Sequence, residues 1–183
     1  GVTHPLPQPF IVLATQNPGE FVGTYPLPEA QMDRFFLRIS IGYPTVEQEM
    51  DVLERYSGQV KPMATLTPVC SAQDIIALQQ MVTTIYCAPE VRAYVAQLAA
   101  ATRQDPALQL GASTRAAIAL IHGAQACALL DGRDFTLPED VQHMLLPVFS
   151  HRLLPNPEAR MKGITAEQVL MNILQNVAVP LKV

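Results

Sequence analysis

Phe10-Ile11-Val12-Leu13-Ala14-Thr15-Gln16-Asn17-Pro18 decides how the first part of the chain is read. Five consecutive apolar residues that close on a polar Thr-Gln-Asn-Pro turn suit a strand buried on both faces of a parallel sheet. In such a sheet, ligand-facing residues collect at the C-terminal end of the strand, which makes Asn17 the first candidate. Its amide suits the orientation of a water for in-line attack on a phosphoryl group. The plainer reading is that Asn-Pro simply opens a turn.

Downstream, Phe35, Leu37, Ile39 and Ile41 alternate with Phe36, Arg38, Ser40 and Gly42, the period-2 pattern of a strand with one wetter face. After Tyr43-Pro44 the pattern turns helical and stays so. Thr45 and Gln48 have capping-box spacing ahead of Val46, Met50 and Leu53, and this helix is expected to end near Ser57-Gly58. A loop with Pro62 and Pro68 follows and is the best candidate for a domain boundary. Beyond it, apolar stripes at helical spacing run through Ile75, Leu78, Val82 and Ile85, then Val91, Tyr94, Val95 and Leu98, then Ala117, Leu120, Ile121, Ala124 and Ala128. Thr136 with Glu139, and Thr165 with Gln168, mark two further helix starts. The first of these helices carries Val141, Met144, Leu145 and Val148 inward and contains Pro147, expected to kink it; the second turns Leu170, Ile173, Leu174 and Val177 inward.

Composition narrows the function classes. An apolar share of 49% over 183 residues supports a packed core, and a net charge of −4 without any Lys/Arg run argues against nucleic acid as a partner. Apolar runs are far shorter than the roughly 20 residues that span a bilayer, so no membrane segment is expected. Cys70, Cys87 and Cys127 are odd in number and lack C-x-x-C spacing, and the four histidines lack ligand spacing. Reduced cysteines in a cytosol and no metal site are the expectation.

Two arginines join Asn17 as candidates. In Gly23-Thr24-Tyr25-Pro26-Leu27-Pro28, the prolines form an extended lead-in to a short helix that delivers Asp33-Arg34-Phe35. An arginine held there is able to enter a neighbour's phosphate site, an effect worth roughly 10³ to 10⁵ in rate where it operates. Otherwise Asp33 and Arg34 are solvated charges or a weak local pair. In Gly111-Ala112-Ser113-Thr114-Arg115, Ser113 caps a long helix and Arg115 lies in its first turn, where the helix dipole favours acids. Either an anionic ligand compensates, or Arg115 is exposed and the penalty is small.

These pieces together resemble one family. ATQNPGEFVGTYPLPEAQMDRFFLRISIGYP, residues 14–44, is similar to the sensor-to-finger segment of MoxR-type AAA+ ATPases. LGASTRAAIALIHGAQACALLDGRDFTLPEDVQ, residues 110–142, is similar to their helical lid, and the likeness extends through SHRLL and GITAEQVLMNIL. The resemblance implies an α/β part of an AAA+ core, with two strands of an incomplete parallel sheet, followed by an all-α lid bundle, mostly helical overall. It places the C-terminal part of the core at 1–57, a linker at 58–68 and the lid at 69–183. It makes Asn17 the sensor-one residue that orients the attacking water, Arg34 the arginine finger offered to an adjacent subunit, and Arg115 the sensor-two arginine on the γ-phosphate. Thr114 departs from the proline more usual in the family.

A P-loop needs G-x-x-x-x-G-K-[ST], and neither Lys61 nor Lys162 has that setting. The acidic Walker B strand is absent too. The resemblance separates the sensor strand from the Phe35–Ile41 strand by the P-loop strand, so the two are not expected to pair, and an N-terminal Walker A and B half is expected to complete them. The expected whole is a cytoplasmic homo-oligomeric ring, taken as a hexamer. It uses ATP and Mg²⁺ to remodel or activate client proteins, with von Willebrand A-domain proteins as the implied client or co-factor class. This chain alone is expected to bind no cofactor and to hydrolyse nothing. A non-catalytic helical interaction module is the alternative.

Overall fold

The computed structural model describes residues 2–16, 28–57 and 66–180. In chain order the elements are α1 (Glu29–Met32), α2 (Val46–Ser57), α3 (Ala72–Thr84), α4 (Pro89–Gln104), β1 (Leu108–Leu110), α5 (Thr114–Leu130), α6 (Pro138–Phe149), a 3-10 turn (Ser150–Arg152), β2 (Leu154–Pro155), α7 (Pro157–Met161) and α8 (Ala166–Asn176). They fall into two compact units, one of Gly1–Ile11 with Ile39–Ala77 and one of Val12–Arg38 with Leu78–Val183. Among the described residues the protein is mostly helical, with one two-stranded antiparallel sheet.

The core lies in the second unit. Val91, Tyr94, Val95 and Leu98 of α4, Leu120 and Ala124 of α5, Val141, Leu145 and Val148 of α6, and Leu170 and Ile173 of α8 are all buried together. The stripes expected from helical periodicity in these four helices are the ones that pack. Small residues on α5 let α6 come close: a Cβ on Gly123 would meet the Met144 side chain at 2.9 Å. Prolines open α4, α6 and α7 at N1 or N2, where the missing N–H costs no helical bond. After α5, Gly132 adopts φ +73°, with Gly132 N–H bonded to Leu129 O and Arg133 N–H to Ala128 O, closing the helix in a Schellman turn.

Helix starts follow the sequence signals with one shift. Thr45 with Gln48, and Thr165 with Gln168, form reciprocal capping boxes. The start expected at Thr136 moves one residue on, because the Thr136 N–H is bonded to Tyr86 O at 2.9 Å. Leu137 is the cap residue instead, its N–H donating to the Asp140 carboxylate at 2.8 Å. Asp140 is itself held by a two-pronged contact from Arg133 at 2.7 and 2.9 Å.

The strand expectations need correction. Neither Phe10–Ala14 nor Phe35–Ile41 forms a strand, and Phe10, Ile11, Val12 and Leu13 are exposed rather than buried on both faces. A strand exists only through the ladder its neighbours complete, and neither stretch is paired into a sheet among the described residues. The period-2 signal survives in another form: Phe35 and Leu37 are half-buried while Phe36 and Arg38 are exposed, and Leu37 packs on the helical core. Arg38 N–H donates to Pro147 O at 2.8 Å, the carbonyl of the proline inside α6. The sheet that does form is antiparallel and lies elsewhere, pairing Leu108 with Pro155 and Leu110 with Leu154. Its strands are too short to leave a periodic trace. In the first unit, α2 forms from its local signals, and Val46, Met50 and Leu53, which share one apolar face, are exposed.

Candidate functional site

The turn after α1 places Asp33, Arg34 and Phe35. Arg34 N–H bonds to Gln31 O and Phe35 N–H to Met32 O, each at 3.1 Å, so the segment is a tight turn and not the run-in to an edge strand. Arg34 is exposed, and no hydrogen bond or ion pair of its side chain is present among the described residues. Asp33, by contrast, is a hub. Its carboxylate lies 3.5 Å from Arg115 Nη1 and 3.3 Å from Arg152 Nε, and it accepts from Ser113 Oγ at 3.3 Å.

Arg115 reaches this hub from the start of α5. Ser113 Oγ accepts from Ala116 N–H at 3.1 Å, the cap expected from sequence, and puts Arg115 in the first turn with no acid of its own helix nearby. The anion that a helix N-terminus attracts is therefore supplied from 80 residues away, by Asp33. Gly111 makes this entry possible. A Cβ there would stand 2.7 Å from the backbone N and Cα of Arg103, so only glycine lets the segment before α5 lie against the end of α4. Thr102 Oγ1 accepts the Ala112 N–H at 2.9 Å and fixes the same junction.

The structure thus ties Arg34 and Arg115 to one corner through a shared neighbour, Asp33. Asn17 lies outside the described residues. Sequence reading missed Arg152, whose side chain is only 2% exposed in the 3-10 turn after α6. Its Nη1 donates to Val148 O, its Nη2 to Phe35 O, and its Nε and Nη2 each reach Asp33 O at 3.3 Å. Burial lowers the pKa of its guanidinium and Asp33 opposes this; a guanidinium's ordinary range is high enough that it stays charged. The signal was available, since a lone cation between Val148-Phe149 and Leu153-Leu154 must either snorkel out or find buried partners.

His151, the preceding residue, adds a second contact on the same carbonyl, with Nε2 3.2 Å from Phe35 O. That bond assigns the proton to Nε2 and leaves the buried Nδ1 without a partner. Burial pulls the imidazole pKa below its ordinary value of 6.5; the Phe35 carbonyl opposes this, while the charges of Arg152 and Arg38 add to it. Among the described residues, no group of three or more His, Cys, Asp or Glu is placed to hold a metal ion, and no helix is long and apolar enough to cross a membrane.

Comparison with known proteins bears on this corner. Residues 100–173 match the AAA lid domain family, and residues 1–37 match the ATPase family associated with various cellular activities (AAA). The chain is 43% identical over 182 residues to the uncharacterized protein YeaC of Bacillus subtilis, covering 100% of this chain and 57% of that protein. It is 38% identical over 189 residues to chaperone MoxR1 of Mycobacterium tuberculosis, covering 98% and 49%. A crystal structure from Cytophaga hutchinsonii, provisionally described as an ATPase, superposes with a TM-score of 0.88 at 35% identity, over 97% of this chain and 56% of that one. The chain spans about half the length of the curated relatives it matches.

Proposed function

The chain belongs to the MoxR-type family of AAA+ ATPases, and on that premise we propose that it supplies the sensor and finger residues for ATP hydrolysis coupled to remodelling of client proteins. In this reading Arg34 neutralises charge on the transferred phosphoryl group at a neighbouring subunit's site, Arg115 contacts the terminal phosphate, and Asn17 orients the attacking water. Arg34 carries the reading. It is an exposed arginine whose own side chain is unengaged among the described residues, set in a turn whose flanking residues are held from the helical core.

The donor set fits one end of a nucleotide. Two arginines and the start of α5 suit a terminal phosphate, whereas a phosphate cradle and Mg²⁺ ligands do not gather among the described residues. When bound, ATP with Mg²⁺ supplies the anhydride to be broken; this chain's part is to place positive charge and, through Asn17, a water. We assign the cradle and the magnesium ligands to the portion of the relatives that this chain does not span. Because Arg34 and Arg115 are linked through Asp33, both address the same triphosphate, and a finger that serves a neighbour carries Arg115 with it. The family likeness suggests that this happens in a homo-oligomeric ring, taken here as a hexamer acting in the cytoplasm. The client class suggested by the family likeness is a von Willebrand A-domain protein.

Replacing Arg34 by Ala in the full-length protein is expected to lower ATP turnover by roughly 10³-fold or more while nucleotide binding persists. Steady-state phosphate release and equilibrium binding of ATP check it. Turnover within a few fold of the parent removes the finger assignment.

A further inference from the structure

We propose that Arg152 is a positioning residue for Arg34, a buried guanidinium that clamps the backbone on both sides of the finger and so fixes its direction from within the lid. The inference rests on the reading of Arg34 as the finger. Its observations are independent of that reading.

Burying a guanidinium is costly unless its donors are met, and an apolar side chain of similar volume often stabilises as well or better. A charged fork at this place therefore calls for a use beyond packing. Of the acceptors Arg152 reaches, one is the Val148 carbonyl of α6, and the others are the Asp33 carbonyl, the Asp33 carboxylate and the Phe35 carbonyl. These belong to the residues immediately before and after Arg34. Holding the Asp33 carbonyl fixes the peptide plane that enters the Arg34 Cα, the Phe35 N–H bond to Met32 O fixes the plane that leaves it, and the hold on the Phe35 carbonyl anchors the plane after that; together they set the direction in which the Arg34 Cβ leaves the chain. The Arg34 side chain remains exposed to serve a partner. His151 on Phe35 O and the Pro147 carbonyl on Arg38 N–H tie the same stretch to the same end of α6.

Arg152 is 2% exposed and directed at this backbone, so it acts through Arg34 and not on a phosphate. The fork matters as well as the charge. A guanidinium engages Asp33 and Phe35 together from fixed angles, whereas an ammonium offers a point charge. Transition-state charge stabilisation is steep in position, and a 1 Å misplacement costs roughly 10²-fold in rate. Loss of the clamp is thus expected to cost less than loss of the finger and to appear in kcat, since ground-state binding of nucleotide does not depend on it.

The test uses the full-length protein with Arg152→Gln and Arg152→Lys, each alone and combined with Arg34→Ala. Expected are unchanged ATP affinity, a roughly 10²-fold fall in kcat for Arg152→Gln with KM within about twofold, and a smaller fall for Arg152→Lys. In the Arg34→Ala background, Arg152→Gln is expected to change the residual turnover by less than about twofold, because no finger is left to position. Three results overturn the inference: a folded Arg152→Gln with parental kcat, an equal fall in both backgrounds, or a loss confined to KM. Should Arg152→Gln fail to fold, as judged by its thermal transition, Arg152→Lys is held to the same three criteria. If Arg34→Ala alone leaves turnover unchanged, the finger reading fails and this inference with it; an effective Arg34→Ala beside an ineffective Arg152 variant defeats this inference alone.

Discussion

Asp33 is one carboxylate serving two arginines of unlike burial. Arg152 is enclosed, while the Arg115 side chain is 64% exposed and 3.5 Å away, so the Arg152 contact dominates the energetics. Asp33→Ala leaves Arg152 short of its counter-charge. Because Asp33 is itself 27% exposed and Arg152 keeps its carbonyl acceptors, the expected loss is about 1.5–3 kcal/mol, nearer a lost charged hydrogen bond than a broken fully buried pair. Denaturant unfolding of the variant measures it. Sequence reading weighed Asp33 only as a solvated or weak local charge, because its partners are 80 or more residues away and no local pattern announces them.

His151 gives the same corner a pH dependence. Its pKa is lowered in the folded chain, so the unfolded chain takes up the proton first. The His151 contribution is thus fully present above the unfolded value of about 6.5 and is lost as pH falls through the lower folded value. The thermal midpoint is expected to drop between pH 7.5 and 5.5, and His151→Gln is expected to flatten that drop. An unchanged slope in the variant would place the acid sensitivity elsewhere.

Among the elements, helices were legible where periodicity, caps and prolines agreed. The stripes of α4, α5, α6 and α8 and the caps at Ser113 and Thr165 are local signals that tertiary packing also satisfies. Strands were not legible, for two different reasons. Phe10–Ala14 has the composition of a buried strand, but a strand needs a paired ladder and this stretch has none among the described residues; β1 and β2 are too short for any pattern. Gly111 reads in sequence only as part of a motif, yet its role is steric, because it lets the entry to α5 lie against the backbone at Thr102 and Arg103. Gly111→Ala is expected to destabilise by about 1–3 kcal/mol, since rigid backbone and not a yielding side chain faces the new methyl. A shift in denaturant midpoint of the full-length protein tests this, and a neutral result would mean that the α4–α5 junction is able to open without cost.

At the scale of the whole molecule, the family was legible because residues scattered over much of the chain agreed with one another. The candidate site was only partly so. Its arginines are proposed from motif alone, whereas what brings them to one corner, Asp33 and Arg152, appears only once the chain is folded. The apolar face of α2, with Val46, Met50 and Leu53 exposed, shows the same limit: helical spacing announces an amphipathic element without saying what covers it. That Arg34 and Arg115 of one subunit together address a neighbour's triphosphate is tested most directly by ATP turnover in mixed rings. In the full-length protein, one subunit type carries Arg34→Ala with Arg115→Ala, and the other is disabled in the phosphate cradle assigned to the portion this chain does not span, each expected to be inactive alone. Mixing them is predicted to restore turnover, because the second type lends both arginines to the first; mixed rings as inactive as either parent would contradict it.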